Sequence, residues 1–154
     1  MQAALHFRLA TRADVPALVA MLADDTLGSQ REQATAPLPS AYYAAFDAID
    51  RDPNNELILA CLGEQVIGML QLTYIPSLSY QGGWRALIES VRVDAAYRAQ
   101  GVGRQLMAWT LARAKARGCH LAQLSTHQSR SDAQRFYTRL GFEKSHVGMK
   151  LSLK

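Results

Sequence analysis

Residues 91–104 read Val91-Arg92-Val93-Asp94-Ala95-Ala96-Tyr97-Arg98-Ala99-Gln100-Gly101-Val102-Gly103-Arg104. This pattern predicts a strand that passes through a basic, glycine-containing turn into a helix. The start of a helix carries unpaired backbone N–H groups and the positive end of the helix dipole, and both attract anions. Gly101 and Gly103 let the backbone approach a ligand closely. The turn therefore predicts an anion site, although it matches neither the P-loop nor the dinucleotide-fold fingerprint.

A specific family resemblance begins at this turn. The run Arg98-Ala99-Gln100-Gly101-Val102-Gly103 resembles the Arg/Gln-x-x-Gly-x-Gly/Ala loop of the GCN5-related N-acetyltransferase (GNAT) family. It is followed at a family-like distance by Ala133-x-x-Phe136-Tyr137-x-x-x-Gly141-Phe142. Two motifs in the right order are more specific than either alone, and together they extend the resemblance over nearly the whole chain. The resemblance implies that the loop binds the pyrophosphate of acetyl-CoA, the acyl donor.

The length of 154 residues suits one well-packed domain. We expect an α/β (α+β) fold: a single GNAT-type domain, residues 1–154, with a mixed central β-sheet flanked by helices. Within it, residues 1–75 form an N-terminal half that includes the acceptor-side helices, and residues 84–142 form the acetyl-CoA-binding core. In the family, the segment after the first helix lines the acceptor pocket.

Apolar periodicity and turn residues locate the elements. A helix is expected after Asp14 as N-cap, and a second carries Tyr42, Phe46 and Ile49 on one face. A third follows the glycine loop and stops at Gly118, and a fourth opens with a capping box at Ser131. The expected strands are 6–9, 57–62, 66–75, 84–93 and 121–126, with a final strand or hairpin over 142–153.

Composition excludes several classes of protein. The net charge is +4, with lysine and arginine spread along the chain, so nucleic-acid binding has little support. No apolar run approaches the roughly 20 residues of a membrane span, and we expect no membrane association and a cytoplasmic location. Cys61 and Cys119 lie far apart without histidine at ligand spacing, which predicts buried hydrophobes and no metal site.

Acetyl transfer to an amine needs a group that removes a proton and a group that protonates the departing thiolate. An alkyl amine has a reference pKa of roughly 10, so a carboxylate base is useful. Glu89 is our candidate, since several members of the family carry a base at this point of the strand. Strand alternation places Glu89 on the same face as Val91 and Val93. On the residues alone, an acid on the exposed side of a strand is the better interpretation of Glu89, and His127 is an alternative base.

Tyr137 is the candidate acid, because a phenol with a pKa of about 10 can donate a proton to a forming thiolate. It also lies on the apolar stripe of its helix, and a tyrosine can bury its ring while its hydroxyl reaches a polar site. Neither cysteine has an activating partner in sequence, so direct attack of the amine on the thioester is expected.

The resemblance also assigns the residues that bind the donor. They are Val91, Arg92, Val93, Arg98, Ala99, Gln100, Gly101, Val102, Gly103, Arg104 and Arg130. Two of them depart from the family pattern. Ala99 stands where many members carry glycine, which we expect to narrow the allowed backbone only slightly. Arg130 stands where many members have an asparagine that contacts the cofactor, and arginine could meet a phosphate instead.

The expected reaction is transfer of an acetyl group from acetyl-CoA to a primary amine of a small molecule or peptide. Two alternatives stay open: a regulatory module that binds acyl-CoA without turnover, and an enzyme that uses another acyl-CoA. Asp24, Asp25 and Glu32 in the acceptor-side segment could favour a cationic substrate, although such charges are usually solvated. Homodimers are common in the family, so by analogy we expect a homodimer.

Overall fold

The computed structural model describes residues 3–154 and is centred on a five-stranded sheet. The strands are β1 (Leu5–Leu9), β2 (Asn55–Leu62), β3 (Gln65–Pro76), β4 (Trp84–Val93) and β5 (Cys119–Leu124). They lie in the order β1-β2-β3-β4-β5. The first four strands pair antiparallel, and β5 runs parallel to β4. The predicted mixed sheet is thus confirmed.

Helices cover both faces of this sheet. They are α1 (Val15–Ala23), α2 (Thr26–Arg31), α3 (Ser40–Arg51), the short α4 (Ser79–Gly82), α5 (Val102–Ala116) and α6 (Ser131–Arg139). The chain leaves α5 through Gly118, whose φ of 91° is readily adopted only by glycine, so the predicted end of this helix is confirmed. Within residues 3–154, no helix has the length and apolarity that a bilayer crossing requires.

The two faces of the sheet have separate cores. On one face, Leu106 and Met107 of α5 pack fully buried against Ile58, Leu70 and Ile88 of the strands. The other face is covered by α1 and α3 through two further clusters. These contain Leu18, Met21, Leu59, Cys61 and Met69 in one case, and Val15, Val19 and Phe46 in the other. Strand alternation produces this division, because successive side chains point to opposite faces.

A polar network ties α5 to the sheet at the edge of its core. Glu56 of β2 accepts hydrogen bonds from the Tyr74 hydroxyl at 2.5 Å and from Nε of Arg113 at 2.9 Å. Burial alone would raise the pKa of Glu56, but the hydrogen bonds from Arg113 and Tyr74 lower it overall. The Arg117 guanidinium lies 4.1 Å from the centre of the Tyr74 ring. The network therefore fixes the position of α5 along β2 and β3.

Two local predictions are wrong, and a third holds only for position. Ser131 does not cap α6: Arg130 occupies the N-cap position, and Ser131 already lies in the first turn. Asp14 occupies the N-cap position of α1 as predicted, but its carboxylate makes no cap hydrogen bond to that helix and instead accepts from Arg8 and the Thr11 N–H. Residues 142–153 form neither a strand nor a hairpin, because no neighbouring strand of the described chain pairs with them.

Candidate active site

The last part of β4 runs beyond its parallel partner. Residues Trp84 to Ile88 pair with β5, which ends at Leu124, while β4 continues to Val93. On its other side β4 stays paired with β3 as far as Val93. The two parallel strands therefore separate beyond Ile88 and leave one edge of β4 open directly before the glycine loop.

A bulge in β4 coincides with this separation. The register between β3 and β4 shifts between Met69 and Gln71, and Ser90 adopts a φ of 55°. Val91 and Val93 consequently pack with Ile88 against the α5 core. Glu89 lies opposite Gln71, on the other face of the sheet. The prediction that Glu89 shares a face with these valines is thus wrong, because the bulge interrupts the alternation.

The open edge of β4 presents the backbone groups of Val91 and Val93. The N–H of Asp94 donates to Ile67 of β3 at 2.8 Å. Because antiparallel strands alternate the direction of their backbone groups, Val91 and Val93 direct theirs away from β3. Their carbonyls accept from Arg92 at 2.9 Å and from Arg98 at 3.1 Å. Their N–H groups thus face the gap and can donate to a ligand.

The glycine loop ends as predicted in the N-terminus of α5. Gly101 is the N-cap with a φ of 81°, and its carbonyl accepts from Gln105. The N–H groups of Val102, Gly103 and Arg104 precede that first bond and have no partner within the helix. A Cβ on Gly103 would lie 3.4 Å from Phe136 and 3.6 Å from Val93, at ordinary van der Waals distances, so the loop lies beside β4 and α6 with room for a small side chain. These donors fit an anionic group.

Ala99 is more constrained than expected. Its φ of 60° lies in the left-handed region, where a Cβ costs roughly 1–2 kcal/mol. The expectation that alanine narrows this backbone only slightly is therefore wrong.

Of the predicted phosphate-binding arginines, Arg104 is exposed. Arg98 lies 3.5 Å from Asp24 of the acceptor-side segment, and both side chains are about half exposed.

Asp25 joins two of the predicted site residues in a charged cluster. One carboxylate oxygen lies 2.7 Å from Arg130 and 3.9 Å from Arg92. The other accepts from the Gly28 N–H at 2.5 Å at the start of α2. Burial would raise the pKa of Asp25, but the hydrogen bond and the two arginines lower it overall. Since two guanidiniums face one carboxylate, the cluster keeps one unneutralised positive charge.

Arg92 is the most enclosed member of this cluster. Its side chain is 15% exposed, and its Nε is buried without a hydrogen-bond partner among the described residues. Burial, followed by repulsion from Arg130, lowers its pKa. Buried N–H donors normally have a partner, so this one marks a place for an additional acceptor.

Tyr137 lies close to the same cluster. Its half-buried ring packs edge-on against Phe136 and Phe142, with ring centres 5.2 and 5.9 Å away. Burial raises the pKa of its hydroxyl, and the positive charges of Arg92 and Arg130 only partly offset this. A phenol in this setting keeps its proton at neutral pH and can act as an acid.

The side chains of Glu89 and His127 are not buried among other residues in this way. Glu89 is exposed, and its side chain makes no hydrogen bond or ion pair within residues 3–154. His127 is also exposed, and its Nδ1 accepts from the Ser129 N–H at 3.1 Å within its own loop. Among the described residues, no group of three or more His, Cys, Asp or Glu side chains is placed to hold a metal ion.

Sequence reasoning missed the role of Asp25 in this cluster. Its place before Thr26-Leu27-Gly28 is a signal for a helix N-cap, which the structure bears out. Asp25 and Arg130 lie more than 100 residues apart in the sequence, so no local sequence pattern predicts their pairing. The Glu32 carboxylate also has partners within the chain. It forms an ion pair with Arg31 at 2.7 Å and accepts a hydrogen bond from the Tyr42 hydroxyl at 3.1 Å.

Comparison with known proteins gives consistent results. Residues 23–142 match the model of the acetyltransferase (GNAT) family. An aminoalkylphosphonate N-acetyltransferase from Salmonella typhimurium is 36% identical over 106 residues, which cover 69% of this chain and 68% of that protein.

Solved structures share the whole fold. A Bacillus halodurans protein described as a transcriptional regulator is 53% identical, with a TM-score of 0.95 over 97% of this chain and 100% of that one. A putative acetyltransferase from Agrobacterium tumefaciens is 23% identical, with a TM-score of 0.84 over 96% and 99% of the two chains, and shows the fold alone. On the family match and the curated relative, the chain belongs to the acetyltransferase (GNAT) family and is an N-acetyltransferase.

Proposed function

We propose that this enzyme transfers the acetyl group of acetyl-CoA to a primary amine in the gap between β4 and β5. The observation that carries the proposal is the open edge of β4 beyond Ile88, which leads directly into the unpaired N–H groups of α5. The edge suits the amide-containing arm of the donor, and the helix N-terminus suits its pyrophosphate. Arg98 and Arg104 add positive charge at the loop. The two free cysteines are compatible with a reducing, cytoplasmic setting.

Three residues of the chain are assigned to the steps of the transfer. Acetyl-CoA supplies an activated acetyl thioester. Glu89 accepts a proton from the ammonium form of the acceptor, directly or through a water, and the freed amine forms a bond from its nitrogen to the thioester carbon. The Val91 N–H donates to the carbonyl oxygen and stabilises the negative charge that develops there. The carbon–sulfur bond then breaks, Tyr137 donates its proton to the departing sulfur, and the second proton of the nitrogen passes to the Tyr137 phenolate. The products are the N-acetyl amine and the free thiol of CoA, and Glu89 returns its proton to solvent.

We further propose that the acceptor amine carries an anionic group, such as a phosphonate or phosphate. The Salmonella typhimurium relative is named for an aminoalkylphosphonate, which joins an amine and a phosphonate in one small molecule. The Arg92–Arg130 pair keeps one unneutralised charge and the unpartnered Nε of Arg92. Guanidinium groups bind such anions well because their N–H donors match the oxygen geometry.

The first experiment measures thiol release from acetyl-CoA with matched acceptors: 2-aminoethylphosphonate, ethanolamine, a diamine and a peptide. Glu89→Gln and Tyr137→Phe are expected to lower kcat by about 100-fold or more. The control variants Glu64→Gln and Tyr80→Phe change exposed side chains elsewhere and should keep parental rates. If both site variants keep parental turnover across pH, the assigned acid and base are wrong.

The acceptor class is tested on the same panel. Arg130→Gln should raise KM for the phosphonate amine by at least about tenfold and leave KM for ethanolamine unchanged. Arg135→Gln is the matched control, since Arg135 is 59% exposed on the same helix. Equal KM changes for both amines would contradict an anion-binding role.

A further inference from the structure

The Arg92–Arg130 pair that is proposed to bind the acceptor's anion already contacts a carboxylate of this chain. Asp25 lies 2.7 Å from Arg130 and 3.9 Å from Arg92, and the second distance is too long for a hydrogen bond. Arg92 instead donates from Nη1 to the Val91 carbonyl at 2.9 Å, and its buried Nε has no partner among the described residues. Arg92 therefore keeps donors for a ligand in the presence of Asp25.

The start of α2 fixes Asp25 in this position. Its carboxylate accepts from the Gly28 N–H at 2.5 Å, and its backbone carbonyl accepts from the Ser29 N–H at 2.8 Å. A Cβ on Gly28 would overlap the Leu22 carbonyl oxygen and lie 2.8 Å from the Asp25 carboxylate, so the turn closes tightly around this side chain. Asp25 cannot move away without breaking the N-cap of α2. A bound anion must therefore share the two guanidiniums with Asp25.

The charge of this cluster is a single positive one. Two guanidiniums face the one carboxylate of Asp25. Arg31 also acts electrostatically on Arg92, but its own charge is paired with Glu32 at 2.7 Å. Tyr137, which acts on Arg92 as well, is uncharged at neutral pH because burial raises the pKa of its hydroxyl. The neighbours of the cluster thus leave its net charge at plus one.

A partly buried site of one positive charge prefers an anion of one negative charge. The attraction between ligand and site grows in proportion to the ligand's charge, whereas the cost of removing the ligand from water grows with the square of that charge. A second negative charge would also lie near the Asp25 carboxylate and be repelled by it. The charge of Asp25 therefore bears directly on which acids the site accepts.

We propose that Asp25 is a specificity-determining residue that restricts the acceptor to a singly charged acid group. Such groups are a sulfonate, a carboxylate and a singly ionised phosphonate. The inference rests on the proposed function, since it concerns the anionic group of the same acceptor amine. It narrows that acceptor class by charge, because a doubly ionised phosphonate is disfavoured.

The test compares two acceptors that carry the amine two carbons from a tetrahedral acid group. 2-Aminoethanesulfonate has one negative charge, and 2-aminoethylphosphonate has two at about pH 8.5, well above the second pKa of about 6 of a phosphate group. In thiol-release assays at this pH, the parent protein should have a KM at least about fivefold lower for the sulfonate. Asp25→Asn removes the charge, keeps an oxygen for the N-cap, and should lower the KM for the phosphonate by about tenfold, reversing the order.

The matched control is Asp50→Asn, which removes the same charge from an exposed position on α3 and should keep the parental ratio of the two KM values. A structural defect in Asp25→Asn would change both KM values alike, so the ratio isolates the effect of charge. A parent protein that prefers the doubly charged phosphonate, or an Asp25→Asn ratio equal to the parental one, overturns the role of Asp25.

Failure of the proposed function has a different signature. A parent protein with equal KM values for ethanolamine and for both acids contradicts an anionic acceptor, and one that releases no thiol with any of the three contradicts the transfer itself. Either result removes the basis of this inference as well. A parent protein that prefers the acids to ethanolamine, with a ratio that Asp25→Asn does not change, contradicts the role of Asp25 alone.

Discussion

Asp25 shows how one side chain can connect distant parts of an active site. Its carboxylate accepts from the Gly28 N–H at the start of α2, pairs with Arg130 from the loop before α6, and lies 3.9 Å from Arg92 of β4. An anionic acceptor would compete with this carboxylate for the same guanidiniums. The affinity of the site for such an acceptor therefore depends on how strongly Asp25 itself binds the two guanidiniums.

Asp14 is the residue from which a pH effect on stability follows. It accepts two hydrogen bonds from Arg8, at 2.8 and 2.9 Å, and these lower its pKa from 3.8 to about 2. The folded pKa lies below the unfolded one, so this stabilisation is present above about pH 4 and is lost as the pH falls towards 2. We expect Asp14→Asn to lower the free energy of unfolding by about 1–2 kcal/mol at pH 7, after screening at the 34% exposed Arg8.

Urea unfolding at several pH values measures this effect. The stability difference between the parent and Asp14→Asn should shrink as the pH falls from 4 to 2. Asp47→Asn is the control, because Asp47 meets Arg12 only at 3.8 Å and is 44% exposed, and it should change stability by less than about 0.5 kcal/mol. A difference that is constant with pH would contradict the role of the Arg8–Asp14 pair.

At the scale of elements, the bulge at Ser90 determines which face of the sheet the last residues of β4 occupy. It shifts Val91 and Val93 onto the α5 core and coincides with the separation of β4 from β5. The sequence predicts the bounds of β4 correctly, since Trp84 to Val93 is an unbroken run of strand-forming character. It does not predict the bulge, because a serine with a positive φ has no local signature. For this reason the sequence predicts the wrong face of the sheet for Glu89.

We expect Ser90→Val to disrupt the bulge. A β-branched residue at a φ of 55° is strained, which should cost about 1–3 kcal/mol of stability. Because the N–H groups of Val91 and Val93 would lose their direction, the KM for acetyl-CoA should rise as well. Ser90→Gly accommodates the same backbone and should keep the parental KM. Thermal unfolding and donor titration measure both effects, and a Ser90→Val protein as stable as the parent would disprove the argument.

At the scale of the whole molecule, the mixed sheet and its flanking helices agree with the predicted fold. The exceptions are contacts between residues that lie far apart in sequence. Arg130 could not be placed against Asp25 from spacing alone. The alternation of Val147, Met149, Leu151 and Leu153 predicts a strand, but the structure forms none there, because no neighbouring strand among the described residues pairs with this segment.

The separation of the two cores also bears on how such a protein can change over evolutionary time. Helices α1 and α3 pack on one face of the sheet, and α5 packs on the other. Substitutions that share no contacting residues have nearly additive effects on stability. Mutations that reshape the region around α1 to α3 can therefore accumulate while the packing beneath the glycine loop stays intact. With acceptor and donor placed as proposed, a lineage built on this scaffold can acquire new acceptors while it keeps the apolar packing beneath its donor site, provided that the ion pairs of Asp24 and Asp25 with Arg98, Arg92 and Arg130 are kept.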